Sequence, residues 1–321
     1  MNYVLRRIGQ AALVMLVMSV LVFAGVYAVG DPIAILVPPD ATQADAARLA
    51  SSLGLDRPLW QQYFAFLREA ASGRLGTSFA FHVPAMTLVL ERLPATLELA
   101  VTASLIALAL GIPLGLLAGV KPKSSAGKLI TAGSILGFSL PTFWVGLLLV
   151  VLFAVQLGWL PAGGRGPTSL LFGIPVSFLS AEGLAHIALP AANLALFKLA
   201  LIIRLTRAGT LEALGEDYVR FARAKGLGEA HVIGVHVLKN ILIPVITVAG
   251  LEFGSLIAFA VVTETIFAWP GMGKLLIDSI NILDRPVIVA YLCVTVLMFV
   301  LINLAVDLAH ALLDPRVRGA A

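Results

Sequence analysis

Charge is scarce in this chain. Asp, Glu, Lys and Arg supply 12% of its 321 residues, against 60% that are hydrophobic. Soluble domains carry about 25% charged residues, so a water-soluble fold is excluded, and the mean hydropathy of +0.99 agrees. Cysteine is nearly absent: Cys293 is the single one, which rules out an internal disulfide and gives no metal or redox motif. The five histidines (82, 186, 231, 236, 310) are scattered without metal-ligand spacing. A phosphate-binding loop is also missing. The two Gly-Lys pairs, Gly127-Lys128 and Gly273-Lys274, are each followed by Leu and lack the first glycine that such a loop needs. Neither H-E-x-x-H nor G-x-S-x-G occurs. No catalytic residue and no cofactor is therefore expected, and uphill work would draw its energy from a partner or an ion gradient.

Long apolar runs are what the chain has in plenty. The stretches 8–30, 99–120, 129–164 and 286–306 hold no Asp, Glu, Lys or Arg, while 187–203 and 241–263 hold one charge each, Lys198 and Glu252. A bilayer core takes roughly 20 apolar residues per helix, so the expected architecture is all-α and polytopic, with about six transmembrane helices. The run 129–164 is too long for one straight span. It is expected to cross once, kinked at Pro141, and to emerge at the GWLPAGG turn of 158–164. Bends are also expected at Gly111–Pro113, and 166–181, broken by Pro167, Gly173 and Pro175, reads as an interfacial or re-entrant segment. Thirteen Lys/Arg fall in the connections on the N-terminal side and three (Arg165, Lys274, Arg285) in the short connections opposite. The excess of basic residues marks the cytoplasmic side, so both termini are expected there. The 23-residue first run has no small-x-small cleavage site after it, which favours an uncleaved anchor over a signal peptide. The net charge of +4 is accounted for by this anchoring and calls for membrane lipid, with no nucleic-acid partner.

The organisation expected is a tip and first span at 1–30, an extracytoplasmic helical segment at 31–95, a membrane core at 96–313 and a tail at 314–321. In the second segment Thr42-Gln-Ala-Asp45 resembles a capping box opening a short helix that Gly54 ends. Pro58 starts another helix with Trp60, Tyr63, Phe64 and Leu67 on one face, broken at Gly73 and Gly76. This segment reads either as a cap on the membrane surface or as a docking element for a soluble partner. No internal repeat is visible, and ionisable groups deep in the apolar runs are few: Lys198, Glu252 and Asp307. Each is a candidate for the transport pathway because charge in lipid is costly, or else a group that reaches water at an edge.

The hydrophilic island 204–239 interrupts the apolar pattern and has to stand in water. Asp217 can cap a short helix carrying Tyr218, Phe221, Ala222 and Lys225 on neighbouring turns. Gly226 permits a sharp reversal, and a second segment follows from Ala230 to Lys239. Such a helix could fit a cleft in a cytoplasmic protein and push on the flanking spans, or it could be a merely solvated basic loop.

At these residues the chain resembles the permease subunits of binding-protein-dependent ABC importers, in the dipeptide/oligopeptide/nickel branch. The segment DYVRFARAKGLGEAHVIGVHVLKNILIP (217–244) is similar to that branch's coupling loop. The wider superfamily has E-A-A-x-x-x-G there. Gly226 and Ala222 match, whereas Arg220 and Phe221 stand at the Glu and middle positions. The pattern continues in LGLDRPLWQQY (53–63), GRLGTS (73–78), RLPATLELA (92–100), GIPLG (111–115), LPTFWVG (140–146), LGWLPAGG (157–164), RLTR (204–207), ETIFAWPGMG (264–273), DRP (284–286) and DPRVR (314–318). Val29 departs from it, standing where the family often has proline before Gly30-Asp31-Pro32.

The resemblance implies a subunit that forms half of a translocation pathway with a second, homologous permease, in a bacterial inner membrane. Cytoplasmic ATPase subunits would hydrolyse ATP, and an extracytoplasmic binding protein would deliver a di- or oligopeptide or a similar small solute. Asp217, Tyr218, Ala222, Arg223, Ala224, Lys225 and Gly226 would couple to the ATPases. Glu264, Phe267, Pro270 and Gly271, with Lys198 and Asp307, are the outer-gate or pathway candidates. An ion-gradient-driven transporter or channel, an intramembrane enzyme and a structural anchor are the other readings of these residues.

Overall fold

In a computed structural model the described residues are 2–28, 42–52 and 56–313. The expectations for Val29, the Gly30–Pro32 turn, Gly54 and 314–318 fall outside them, as does the side chain of Asp307. Apart from one short hairpin, the described residues form helices and their connections. The fold divides into two compact units, 1–93 with 271–321, and 94–270.

The first unit contains helix α1 (Asn2–Ala28), α2 (Gln43–Ser52), α3 (Leu59–Ala71), the start of α4 (Ala85–Val120), α10 (Met272–Asn281) and α11 (Arg285–Leu313). Helix α2 begins as a capping box. Thr42 Oγ1 accepts from the Asp45 N–H at 3.3 Å, and an Asp45 oxygen accepts from the Thr42 N–H at 3.1 Å. The Thr42 hydroxyl, which donates to Asp45 Oδ2 at 2.7 Å, and then the Thr42 N–H stabilise the ionised carboxylate and hold Asp45 below the usual carboxylate range. Pro58 stands at the N-cap of α3, Ser72 is its C-cap and Gly73 (φ 69°) turns the chain away, with Gly76 (φ 82°) in the loop beyond. The covered face of α3 differs from the expected one. Tyr63 and Phe66 pack on Phe23 of α1 at centroid distances of 5.3 and 5.9 Å, whereas Trp60 and Phe64 are exposed. Helix α1 also packs along α11.

Two motifs distant in sequence close this unit. The buried Asp284 accepts from Ser78 Oγ and from the N–H groups of Phe79 (3.2 Å) and Ala80 (3.3 Å). A Cβ on Gly76 would sit 3.4 Å from Pro286. GRLGTS and DRP thus meet as a latch between a loop and the start of α11.

The second unit contains the remainder of α4, then α5 (Ser125–Ser139), α6 (Thr142–Leu149) with a widened π-type turn to Gln156, a hairpin, α7 (Ala181–Gly215), α8 (Asp217–Ala224) and α9 (Glu229–Ile266). Among the described residues five helices are long and apolar enough to cross a membrane. The pair Ser125–Ser139 and Thr142–Gln156, bent by 106°, brings the number to six if it forms one broken span. The break falls at Pro141, where Leu140 is extended (φ −81°, ψ 136°), because proline disfavours helical geometry in the residue before it. By contrast, Pro113 lies inside unbroken helix α4.

Gly111 has a different use from the expected bend. Gly111, Gly115 and Gly119 lie four apart on α4, where Cβ atoms would come within 2.7 Å of Ile202, 2.6 Å of Thr206 and 2.5 Å of Thr210 on α7. Small residues at this spacing let two membrane helices approach closely, replacing side-chain volume with backbone contact.

The segment 166–181, read as interfacial or re-entrant, contains a two-stranded antiparallel hairpin, β1 (Ser169–Leu171) with β2 (Ile174–Val176). Phe172 (φ 51°) and Gly173 (φ 82°) make its two-residue turn, both with the positive φ that matches strand twist.

Candidate functional site

The hydrophilic island is shorter as a loop than its composition suggests. Residues 204–215 continue α7, and residues from Glu229 onward already belong to α9. Between them stands α8, eight residues long. Glu216, not Asp217, is at its N-cap, with no side-chain capping bond. Asp217 lies in the first turn, where its charge complements the helix dipole and Arg220 pairs with it at 3.2 Å.

Helix α8 is bound down along one side. Val219 and Ala222 are buried in a cluster with Ala213, Val232, Val237 and Ile241. Two of these neighbours, Val232 and Val237, come from a π-type turn within α9 that bulges the helix under α8. The other side of α8 carries Tyr218, Phe221, Arg220, Arg223, Ala224 and Lys225, all exposed, with Phe221 62% exposed and Lys225 Nζ 4.5 Å from its ring centre. Phe221 and the cation beside it are thus presented together on the outward side of a seated helix.

Gly226 ends α8 at φ 78°. Its N–H bonds to Arg223 O at 2.9 Å, and the Leu227 N–H bonds to Ala222 O at 3.4 Å. This is the Schellman arrangement, in which the left-handed residue after the helix is best a glycine. Across the turn Arg223 holds Glu229 with two nitrogens, at 2.8 and 3.2 Å. Asp217 through Gly226 therefore form one compact element between α7 and α9.

The residues nominated for the outer gate are largely internal. Glu264 and Phe267 are fully buried. Glu264 accepts from Thr96 Oγ1 at 2.6 Å, and Phe267 O accepts from the Gly164 N–H at 2.8 Å. The neighbouring Trp269, also fully buried, donates to Ala95 O at 2.9 Å. Pro270 ends this unit, and Gly271, in extended conformation, is at the N-cap of α10. Glu98 is not among the residues the sequence singles out. Its carboxylate accepts from Arg165 (3.0 and 2.5 Å), from the Ser177 N–H (2.6 Å) and Oγ (2.8 Å), and from the Phe178 N–H (3.1 Å). Arg165 also donates to Pro175 O at 2.6 Å. One buried carboxylate thus ties the hairpin to α4. An acidic residue at the end of an apolar run, with a lone Arg in a turn, is the signal the sequence offers.

Lys198 lies beside Glu252. Its Nζ donates to Glu252 Oε2 and, at 2.7 Å, to Ser255 Oγ. Two of the three deep ionisable groups in the apolar runs are thereby a pair between α7 and α9.

The fold in hand is that of a polytopic helical membrane protein, and the sequence gives its class, the inner-membrane components of binding-protein-dependent transport systems. Residues 111–319 match the family "Binding-protein-dependent transport system inner membrane component", and residues 1–100 match its N-terminal family, "Binding-prot-dependent transport system membrane comp, N-term". The chain belongs to this family.

Among its relatives is the Dipeptide transport system permease protein DppB of Escherichia coli (strain K12), 38% identical over 99% of both chains. The Di/tripeptide transport system permease protein DppB of Pseudomonas aeruginosa (strain UCBPP-PA14) is 40% identical over 99% of both. The Oligopeptide transport system permease protein AppB of Bacillus subtilis (strain 168) is 38% identical over 98% of both. In fold it is similar to a chain of the MetNI methionine ABC transporter, with a TM-score of 0.54 and 16% identity, over 71% of this chain and 97% of that one. It is a multi-pass inner-membrane transport component rather than an enzyme, and the family sets aside the gradient-driven transporter and channel.

Proposed function

We propose that this chain forms one side of the pathway of an ATP-driven peptide importer and couples it to ATPase subunits through α8. The observation that carries the reading is the seating of α8: Val219 and Ala222 lock it to α7 and α9, while Tyr218, Phe221 and Lys225 face outward. A push on the exposed side would be passed to two membrane helices at once. The carrier would need two discrete arrangements, with ATP binding to the partner subunits favouring one of them.

In this reading both termini and α8 face the cytoplasm, a second permease completes the pathway, and a binding protein delivers the solute to the opposite side. Peptides are the solute class because the relatives named above are dipeptide, di/tripeptide and oligopeptide permeases at 38–40% identity over nearly the whole chain. Glu264, Phe267, Pro270 and Gly271 act here as a lock that sets the outer end of α9, and α8 supplies the stroke.

The test is crosslinking. Phe221→Cys in a Cys293→Ala background should crosslink to an ATPase subunit in membranes, and Leu170→Cys, in the hairpin, should not. Equal labelling at both positions, or none at Phe221→Cys in an assembled complex, would remove α8 as the coupling element.

A further inference from the structure

The Lys198–Glu252 pair is unequally enclosed. The Lys198 side chain is 8% exposed and that of Glu252 is 37% exposed. Lys198 is satisfied: it donates to Glu252 Oε2 and to Ser255 Oγ, and lies 5.5 Å from the centre of the Phe197 ring. Ser255 Oγ stands 3.0 Å from the same carboxylate oxygen. Among the described residues every hydrogen bond to this carboxylate is to Oε2 and none is to Oε1, and Glu252 is the more exposed member of the pair.

Glu252 is midway along the apolar run 241–263, which puts it near the middle of the span such a run would make. A charged side chain there costs about 2.5–3.5 kcal/mol even on insertion scales, and such groups face a bundle interior or a water-filled cavity rather than lipid. Lys198 answers half of the carboxylate. The remaining oxygen needs a donor that carries positive charge or brings water.

We infer that Glu252 Oε1 is a pathway-facing acceptor for the ammonium group of the transported solute, with Lys198 and Ser255 holding the carboxylate in place. This rests on the peptide-importer reading above and adds a recognition point to it. The polarity follows from the geometry. Because the cation of the pair is enclosed and the anion is open, the site favours a solute's positive end, as the free amino terminus of a peptide supplies. A charge-assisted contact of this kind discriminates by roughly tenfold or more against a solute that lacks the charge. The paired lysine keeps the site from being a deep trap: the carboxylate is already half compensated, so a passing ammonium is selected and then released.

The test uses the complete transporter in proteoliposomes, with its binding protein loaded to saturation with a dipeptide or with the N-acetylated form of the same dipeptide. Peptide delivered per ATP hydrolysed is measured for wild type, Glu252→Gln and the double variant Lys198→Met/Glu252→Gln. The double variant matters because Glu252→Gln alone leaves a buried lysine uncompensated, whereas removing both charges is commonly tolerated.

The inference expects wild type to deliver the free-amine form roughly tenfold better per ATP than the acetylated one. Both variants should deliver the two forms about equally. A wild-type ratio near one overturns the inference, and so does a double variant that keeps the wild-type ratio. A double variant that fails to co-purify with the other subunits also overturns it, by marking the pair as structural. Delivery of neither peptide by wild type would remove the peptide reading itself, and this inference with it.

Discussion

A Cβ added to Gly115 would lie 2.6 Å from the Cβ of Thr206 and 2.7 Å from the carbonyl oxygen of Ile203. No side chain tolerates such distances without moving the helices apart, so α4 and α7 are held at a separation that only glycine allows. Thr206 and Thr210 are fully buried, and Thr210 turns its hydroxyl back to Thr206 O at 2.7 Å, which removes a polar group from that contact.

Gly115→Ala should therefore destabilise the chain by about 1–3 kcal/mol through overpacking, read as a lowered thermal midpoint in detergent. Gly133→Ala is the matched control, because a Cβ there meets nothing within 4 Å. Its midpoint should be unchanged. Equal effects at the two positions would show that the close approach is not what constrains Gly115.

Glu98→Ala leaves Arg165 without its carboxylate in a site where their side chains are 1% and 10% exposed. Breaking a buried ion pair from one side costs about 3–5 kcal/mol, and here the Ser177 and Phe178 amides lose their acceptor too. The hairpin 169–176 should become sensitive to proteolysis. A chain whose hairpin stays as resistant as wild type would mean that Glu98 does not anchor it.

Glu264 offers a way to separate a gate from a lock. Glu264→Gln keeps an acceptor for Thr96 and removes the charge, while Glu264→Ala removes both. If the residue acts as an internal lock, Ala should lower the thermal midpoint, by roughly 1–3 kcal/mol for the lost acceptor alone, and Gln much less. Transport should follow stability in both. Uptake abolished in a Gln variant of wild-type stability would instead assign the carboxylate charge a direct part in gating.

Gly226→Ala places a side chain at φ 78°, a conformation that costs a non-glycine residue about 1–2 kcal/mol. No neighbour lies within 4 Å of the added Cβ, so the strain is in the turn alone. Gly226→Trp adds bulk at the tip of α8 as well. ATP-driven uptake should be reduced by Ala and abolished by Trp, with membrane insertion intact in both. Undiminished uptake in the Trp variant would show that the tip of α8 meets nothing.

Much of this architecture is legible in the amino-acid sequence because the bilayer leaves few choices. Runs of about 20 apolar residues set where helices cross, and Pro141 marks where one of them breaks. The capping box at Thr42 and Asp45 is equally plain, since both partners are local. Features that depend on distant contacts are not legible. Gly111 with Pro113 reads as a bend, and the use of Gly111, Gly115 and Gly119 appears only when α7 lies against them. Glu98 and Arg165 are far apart in sequence, and neither has a spacing that names the other. The hairpin is hidden by its apolar composition, with Phe172 at a turn position where glycine or asparagine is the usual signal. In the turn after α8 Gly226 is identifiable from its place in the motif. The π-type turn that seats α8 has no sequence marker of its own.

As a permease subunit this chain should transport only as part of an ATP-driven assembly. Gentle affinity purification of the chain from its native membrane, followed by reconstitution of what comes with it and assay of peptide uptake with and without ATP, tests this. A second permease and ATPase subunits are expected in the purified material, with uptake that requires ATP together with a binding protein. A chain recovered alone that moves solute into vesicles without ATP would contradict that expectation.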